Sequence, residues 1–204
     1  MGAQLALLAN DDVARHVQGV QGAVHGLGGL VVGLDYQDPF LDPHDRFQAW
    51  KEHAVLRAIR DESLKIITIE DPVEYQMDGV NQIHVNTQIG LTFAAGLRHI
   101  VRQDPDVIMV GEIRDNETAR LAIQAALTGH LVFSTIHAPT ALATVSRLLD
   151  MGVLPHMLVA SLKVCISQRL VRKLCNHCKQ PRKATAADCQ ILGMPGDVEL
   201  PLFE

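Results

Sequence analysis

The stretch DPDVIMVGEIRD, residues 104–115, decides the fold of this chain. Its centre, Val107 to Val110, is four apolar residues in a row, which is typical of a strand buried on both faces of a parallel sheet. Gly111 and the carboxylate of Glu112 follow at once. Because ligands of open α/β sheets lie at the carboxyl ends of the strands, a charge at this point predicts a functional edge.

Two other predicted strands end in polar groups in the same way. The strand predicted over 65–69 is followed by Glu70 and Asp71, with Glu74 close behind. The strand predicted over 130–136 ends in Ser134, Thr135 and His137. If the strands are parallel, all these endings lie along one edge, where phosphate, metal and water can be gathered. Solvated or helix-capping side chains are the alternative for any single ending, but three endings in one short chain favour function.

Helical patterns alternate with these strands. This order predicts an α/β fold with a mainly parallel sheet over residues 64–170. Asn116 is the expected N-cap of a helix that closes at Gly129. Helices are predicted over residues 46–63, 92–102, 116–128, 140–151 and 155–174, and further short strands over 30–34 and 81–85.

Composition limits the class of protein. With 48% apolar and 20% charged residues, the chain is globular rather than disordered. The net charge of −5 argues against a general attraction to nucleic acid or anionic membrane. No apolar run approaches the ~20 residues of a membrane-spanning helix, and the amino terminus is a poor signal peptide, so we expect a cytoplasmic protein. Three segments are expected: 1–63 with one helix, a core over 64–174, and 175–204.

Four segments together resemble one family, the type II secretion and type IV pilus assembly ATPases. IITIEDPVEY (66–75) resembles their aspartate box, and FAAGLRHIVRQDPDVIMVGEIRD (93–115) resembles the segment with their Walker B motif. TGHLVFSTIHAPTA (128–141) resembles their histidine box, and SQRLVRKLCNHC (167–178) resembles the entry to their zinc-binding subdomain. The resemblance implies a P-loop NTPase core of the RecA type.

The resemblance also implies roles for individual residues. Glu70, Asp71 and Glu74 would place Mg²⁺ and the attacking water, Glu112 would be the catalytic carboxylate, and His137 would contact the phosphate end. Ion pairing for the arginines and a core position for the first histidine are the alternatives. The residues implied to contact the nucleotide or to brace its site are Arg98, Arg102, Arg114 and His130.

Partners and location follow from the same resemblance. It implies ATP with Mg²⁺, a hexameric ring of identical subunits, and inner-membrane platform proteins of the secretion or pilus machinery as partners. The subunit would be cytoplasmic, with peripheral association with the inner membrane left open. Nucleic acid is not an expected partner, although a motor acting on DNA is a weaker alternative because related ring ATPases share these motifs.

Two departures from the family pattern affect function. The 204 residues contain no G-x-x-x-x-G-K-[ST] phosphate loop, and the only lysine before Lys65 is Lys51. A zinc site needs four ligands, whereas this chain has one C-x-x-C pair, Cys175 and Cys178, with Cys189 or His177 as the remaining candidates. Zinc is therefore left open, and residues 179–204 are expected to hold at most one short helix, near 186–192.

Two functions of different class remain. The first is a motor subunit that couples ATP binding and hydrolysis to protein export or pilus assembly. The second is an inactive fragment of such a motor, a folded module that does not hydrolyse ATP by itself but can still pack against full-length subunits. The missing phosphate loop favours the second for this molecule, and the four motifs favour the first for its lineage.

Overall fold

The computed structural model describes residues 29–34, 55–167, 175, 177–191, 193 and 201–203. The chain divides into two compact units, residues 1–168 and 169–204. In the described part of the first unit, six parallel strands form one sheet, and helices pack against it. Of the helix predicted over 46–63, the structure describes residues 55–63; residues 55–59 are helical and residues 60–63 are not, so the helix ends four residues earlier than expected.

The strand order of this sheet is β3-β2-β4-β5-β1-β6, so β2, β4 and β5 are consecutive neighbours in space. The connections between the parallel strands run through helices or loops. The strands are β1 (Gly29–Leu34), β2 (Ile66–Glu70), β3 (Asn81–His84), β4 (Val107–Val110), β5 (Leu131–Ile136) and β6 (Leu162–Ile166). The helices are α1 (Phe93–Ile100), α2 (Asn116–Leu127), α3 (Ala141–Asp150) and α4 (Pro155–Ser161), with 3₁₀ turns at Thr87–Ile89 and Val101–Gln103.

Both faces of the sheet are covered, as the continuous apolar runs predict. Every residue of β2 and β4 is buried. On one face, Ile67, Ile69 and Ile108 pack with residues of α1, α2 and α4. On the other face, Ile66 and Met109 pack with the helical residues 55–59 and with Met77. Burial on both faces explains why β4 is apolar throughout and why the polar residues of β2, Thr68 and Glu70, are buried as well.

The long helix predicted over 155–174 is wrong. The helix α4 ends at Ser161, and the next five residues form β6, which pairs in parallel with β1. Periodicity alone does not separate a short apolar strand from a helix segment. The free edge of β1 supplies backbone hydrogen-bond partners, so tertiary pairing overrides the local helical pattern. Residues 168–174 lie outside the described part of the chain.

The start of α2 also differs from the expectation. Its N-cap is Asp115 rather than Asn116, because an Asp115 side-chain oxygen accepts a 2.8 Å hydrogen bond from the backbone N–H of Thr118. The second Asp115 oxygen accepts a 2.9 Å bond from the Thr118 hydroxyl. Asp115 therefore anchors the helix that follows the β4 segment.

The second unit contains more structure than the one helix expected. Pro181–Lys183 (β7) and Pro201–Phe203 (β8) form an antiparallel pair, and α5 covers Ala186–Ile191. The Asp188 carboxylate accepts bonds of 2.6 and 3.1 Å from the Arg182 guanidinium. It also accepts 2.8 Å bonds from the Thr185 backbone N–H and hydroxyl, which satisfies the start of α5.

Candidate functional site

The strand ends that carry the predicted site residues share one edge of the sheet. In the parallel register, Ile69 lies opposite Val110, and Val110 lies opposite Ser134. The residues after these positions therefore emerge side by side from β2, β4 and β5. This is the edge predicted from the sequence, and it lies at the carboxyl ends of the strands, where α/β sheets bind ligands.

Glu112 and His137 are in direct contact at this edge. The distance from His137 Nε2 to Glu112 Oε2 is 3.4 Å, and the Glu112 side chain is 12% exposed against 42% for His137. Arg114 donates from Nε to the same Glu112 oxygen. A half-buried carboxylate flanked by an imidazole and a guanidinium can accept hydrogen bonds and orient a water molecule.

Glu70 is the last residue of β2, and unlike the other acidic residues of this edge it is buried. Its side chain is buried, and its Oε1 accepts hydrogen bonds from Thr68 Oγ1 (2.6 Å) and Gln82 Nε2 (2.9 Å). Sequence reasoning missed Gln82, because its partner lies on a different strand and a lone polar residue in an edge strand gives no signal. The structure thus gives the buried Glu70 protein partners.

Asp71 and Glu74 are exposed on the loop that follows β2. Their carboxylates are open to the solvent side of the strand ends, where oxygen ligands suit Mg²⁺. Gln82 anchors this loop to the sheet, because its Nε2 donates to the Tyr75 carbonyl (2.9 Å) and its Oε1 accepts from the Met77 backbone N–H (2.8 Å). The loop that carries Asp71 and Glu74 is therefore held at its far end.

Two of the four residues implied to contact the nucleotide or brace its site, Arg102 and His130, lie at the amino edge of the sheet. Arg98 forms an ion pair with Glu117 on the surface of α2. Arg102 lies in the turn before β4, next to Gln103, whose carbonyl accepts from Lys65 at the start of β2. Arg102 is thus at the amino edge of the sheet, and only Arg114 reaches Glu112 within one chain.

His130 is also at the amino edge, directly before β5. Its Nδ1 lies 3.0 Å from the Ala125 carbonyl and 3.1 Å from the Thr128 hydroxyl, at the end of α2. These contacts are typical of a histidine that hydrogen-bonds to the free carbonyl groups at the end of a helix. The structure therefore does not bring His130 to the side of the sheet where His137 and Glu112 meet.

The cysteines of the second unit do not assemble into a metal cluster. Cys175 and Cys178 are exposed, whereas Cys189 is buried on α5. Hydrogen bonds from the backbone of His177 and Cys178 lower the pKa of Cys175. Among the residues that the structure describes, no group of three or more His, Cys, Asp and Glu side chains is placed to hold a metal ion.

The residue types at this edge match the metal ligands of a magnesium-nucleotide site but not its phosphate loop. The carboxylates of Asp71, Glu74 and Glu112 are the ligand type that suits a hydrated Mg²⁺. A phosphate loop follows directly on a strand and needs glycines, a lysine and a hydroxyl. The residues that follow β1, 35–50, contain four aspartates and no lysine. The sequence thus has carboxylates of this type after its strands and no phosphate loop.

No helix in the described ranges is both long enough and apolar enough to cross a bilayer.

Comparison with known proteins agrees with the fold. Type II secretion system protein E of Pseudomonas aeruginosa is 51% identical over 142 residues, which are 70% of this chain and 28% of that protein. Type II secretion system ATPase E of Vibrio cholerae is 53% identical over 132 residues, 65% of this chain and 26% of that protein. The chain therefore spans between a quarter and a third of the length of these relatives.

Solved structures of related motors share the architecture. The pilus retraction motor PilT with bound ADP superimposes with a TM-score of 0.65 at 34% identity, covering 86% of this chain and 51% of that one. The ATPase DotB of Legionella pneumophila gives a TM-score of 0.59 at 27% identity, covering 76% and 44%. The predicted P-loop NTPase fold is thereby confirmed.

Two family models match the sequence. The model for ETF-QO, ubiquinone-binding, matches residues 16–68, about a quarter of the chain, which does not establish membership. The model for type II/IV secretion system protein matches residues 52–198, which include β2, β4, β5 and most of the second unit. The chain belongs to the type II/IV secretion system protein family.

Proposed function

We propose that this chain provides the carboxylate-bearing part of a motor ATPase core of the type II secretion or type IV pilus assembly machinery. The observation that carries the proposal is the contact of Glu112 with His137 at the ends of β4 and β5. These residues lie within the family segment, at the sheet edge where nucleotide hydrolases bring carboxylates to the phosphates. ATP bound there would supply the phosphoryl group whose transfer drives the motor.

Each edge residue has a role in this proposal. Glu112 would orient the attacking water, since it is half-buried and pre-positioned by its neighbours. His137 would hold a hydrogen bond at the phosphate side, and Asp71 and Glu74 would accept from waters around Mg²⁺. Arg114 would compensate the charge of Glu112. Glu70 would support the edge through its buried hydrogen bonds.

We further propose that this chain by itself does not turn over ATP. A phosphate loop provides most of the fixed positive field around the β and γ phosphates, and none is present in the 204 residues. The chain would then function as a motor-core module. It would pack with other motor subunits in a ring and bind inner-membrane platform proteins. Purified chain mixed with a full-length secretion ATPase should co-elute in gel filtration; separate elution would contradict this packing.

Phosphate release tests the absence of turnover. Purified chain with Mg²⁺ and ATP should release phosphate no faster than the Glu112→Gln variant. A robust rate that Glu112→Gln abolishes would show that residues other than a phosphate loop bind the phosphates. Glu62→Gln is a matched control, because Glu62 is exposed and lies before β2, at the amino end of that strand.

The metal side of the proposal can be tested without ATP. Mn²⁺ in place of Mg²⁺ should broaden the amide NMR signals of Asp71, Glu74 and Glu112, and Asp71→Asn should weaken the broadening. Uniform broadening over the whole surface would overturn a carboxylate site at this edge. Zinc at Cys175 and Cys178 is a separate proposal, supported only by their spacing and by the lowered pKa of Cys175. Metal analysis after dialysis should then find zinc that Cys178→Ser removes.

A further inference from the structure

We propose that Thr135 is a positioning residue whose hydroxyl sets Glu112 against His137. The inference rests on the proposed function of the Glu112 edge, and it gives a role to Thr135, which the sequence marked only as a polar residue at a strand end. Thr135 lies on β5, two residues before His137, and it is 8% exposed. The end of β5 and the residue that follows it therefore carry both the Thr135 hydroxyl and His137.

Thr135 holds the backbone on both sides of Glu112. Its Oγ1 donates a 2.7 Å hydrogen bond to the carbonyl of Gly111, the residue before Glu112. Its own carbonyl accepts a 2.8 Å bond from the backbone N–H of Ile113, the residue after Glu112. The backbone on each side of Glu112 is thus hydrogen-bonded to one residue of the neighbouring strand.

The Gly111 peptide is also confined from the other side. Its N–H donates a 2.8 Å bond to the carbonyl of Ile69 on β2. A Cβ at position 111 would lie 3.4 Å from the Glu70 Cα and 3.6 Å from the Phe93 ring, so the chain passes closely between its neighbours. With its N–H held by β2 and its carbonyl held by Thr135, Gly111 has little freedom to rotate.

The hydroxyl, rather than the shape of the side chain, carries this effect. Valine has nearly the same shape as threonine but cannot donate to the Gly111 carbonyl, and an unpartnered carbonyl of low exposure is unfavourable. The backbone bond from Ile113 would survive the change. Glu112 would then be held on one side only, and its carboxylate would lose its fixed position relative to the His137 ring.

The contact between Glu112 and His137 can be followed by NMR in the full chain without nucleotide. The ¹³Cε1–¹H signal of His137 is assigned by its loss in His137→Gln. Replacing Glu112 by Gln should shift this signal, because the carboxylate lies 3.4 Å from the ring. We expect the shift caused by Glu112→Gln to be kept in a Thr135→Ser background and lost in a Thr135→Val background.

A matched control uses another buried threonine. The Thr144 hydroxyl on α3 is fully buried and has no hydrogen-bond partner in the part of the chain that the structure describes. Thr144→Val should leave the His137 response unchanged. A full response in Thr135→Val would overturn the proposal. If Thr135→Val does not fold, Thr135→Ser decides: loss of the response in the folded serine variant would equally overturn it.

This experiment separates the positioning role from the proposed function. If Glu112 has no part in ATP chemistry, the phosphate-release and Mn²⁺ experiments fail while the dependence of the His137 signal on the Thr135 hydroxyl persists. If Thr135 is not the positioning residue, the His137 response is independent of residue 135 whatever the nucleotide experiments show.

Discussion

Gln82 on β3 donates a 2.9 Å hydrogen bond from its side-chain amide to the buried carboxylate of Glu70 at the end of β2. The same amide group also binds the loop between these strands through the Tyr75 carbonyl and the Met77 backbone N–H. One side chain thus satisfies a buried charge and fixes the segment that carries Asp71 and Glu74. These hydrogen bonds depend on the parallel pairing of β2 with β3, which places Gln82 beside β2.

Replacing Gln82 should therefore destabilise the fold. Gln82→Leu removes one donor to the Glu70 carboxylate and the acceptor of the buried Met77 backbone N–H, which costs about 1–3 kcal/mol. Urea unfolding measures the loss, with the exposed Gln88 changed to Leu as the control. Equal unfolding midpoints for the two variants would show that the Glu70 network contributes no stability.

The N-cap of α2 can be tested with neighbouring residues. Asp115→Ala should lower the free energy of unfolding by about 0.5–2 kcal/mol, because it removes the side-chain acceptor of the Thr118 N–H. Asn116→Ala, one residue later at the first helical position, should change stability by less. Thermal or urea unfolding of both variants decides the point, and a larger effect at Asn116 would restore it as the cap.

Cys165 on the edge strand β6 should be an unreactive thiol in the folded chain. Burial raises the pKa of Cys165 from 9.0 to about 11. Since the thiolate is the nucleophile, alkylation by iodoacetamide at pH 8 should be slower than at an ordinary thiol by about a hundredfold. Mass spectrometry of native and urea-unfolded chain measures the ratio, and similar rates in the two states would contradict the burial of this strand.

The pH dependence of the second unit should follow Asp188. The hydrogen bond from Arg182, and then those from Thr185, hold the pKa of the Asp188 carboxyl well below its usual range. A folded-state pKa below the unfolded value stabilises the fold above the unfolded value, about 3.9 for Asp, and this contribution is lost as pH falls through the folded pKa.

Carbon-13 NMR of the carboxyl group measures this titration directly. Arg182→Ala should raise the pKa of Asp188 toward its ordinary value and should move the acid loss of the α5 signals to higher pH. Lys183→Ala, at the neighbouring position, is the control. An unchanged Asp188 titration in Arg182→Ala would show that Thr185 alone lowers the pKa.

Much of the first unit could be predicted from sequence because its strands are buried on both faces. The run Val107 to Val110 and the β-branched run before Glu70 have no other stable place than the interior of a parallel sheet. The prediction of one long helix over 155–174 was wrong because the local pattern did not identify the strand within it. The residues of β6 are apolar but too few to show a period, and only the edge of β1 selects the strand.

The sequence by itself determined where the polar groups stand along the chain: Glu70, Glu112 and His137 each follow a buried strand, and this holds for any parallel arrangement. The tertiary structure alone decided which of them meet. The order β2-β4-β5 places Glu112 beside His137. Glu70 is buried with hydrogen bonds from Thr68 and Gln82, and His130 and Arg102 lie at the opposite edge. Strand order and register depend on hydrogen bonds between residues far apart in the chain, which no local pattern encodes.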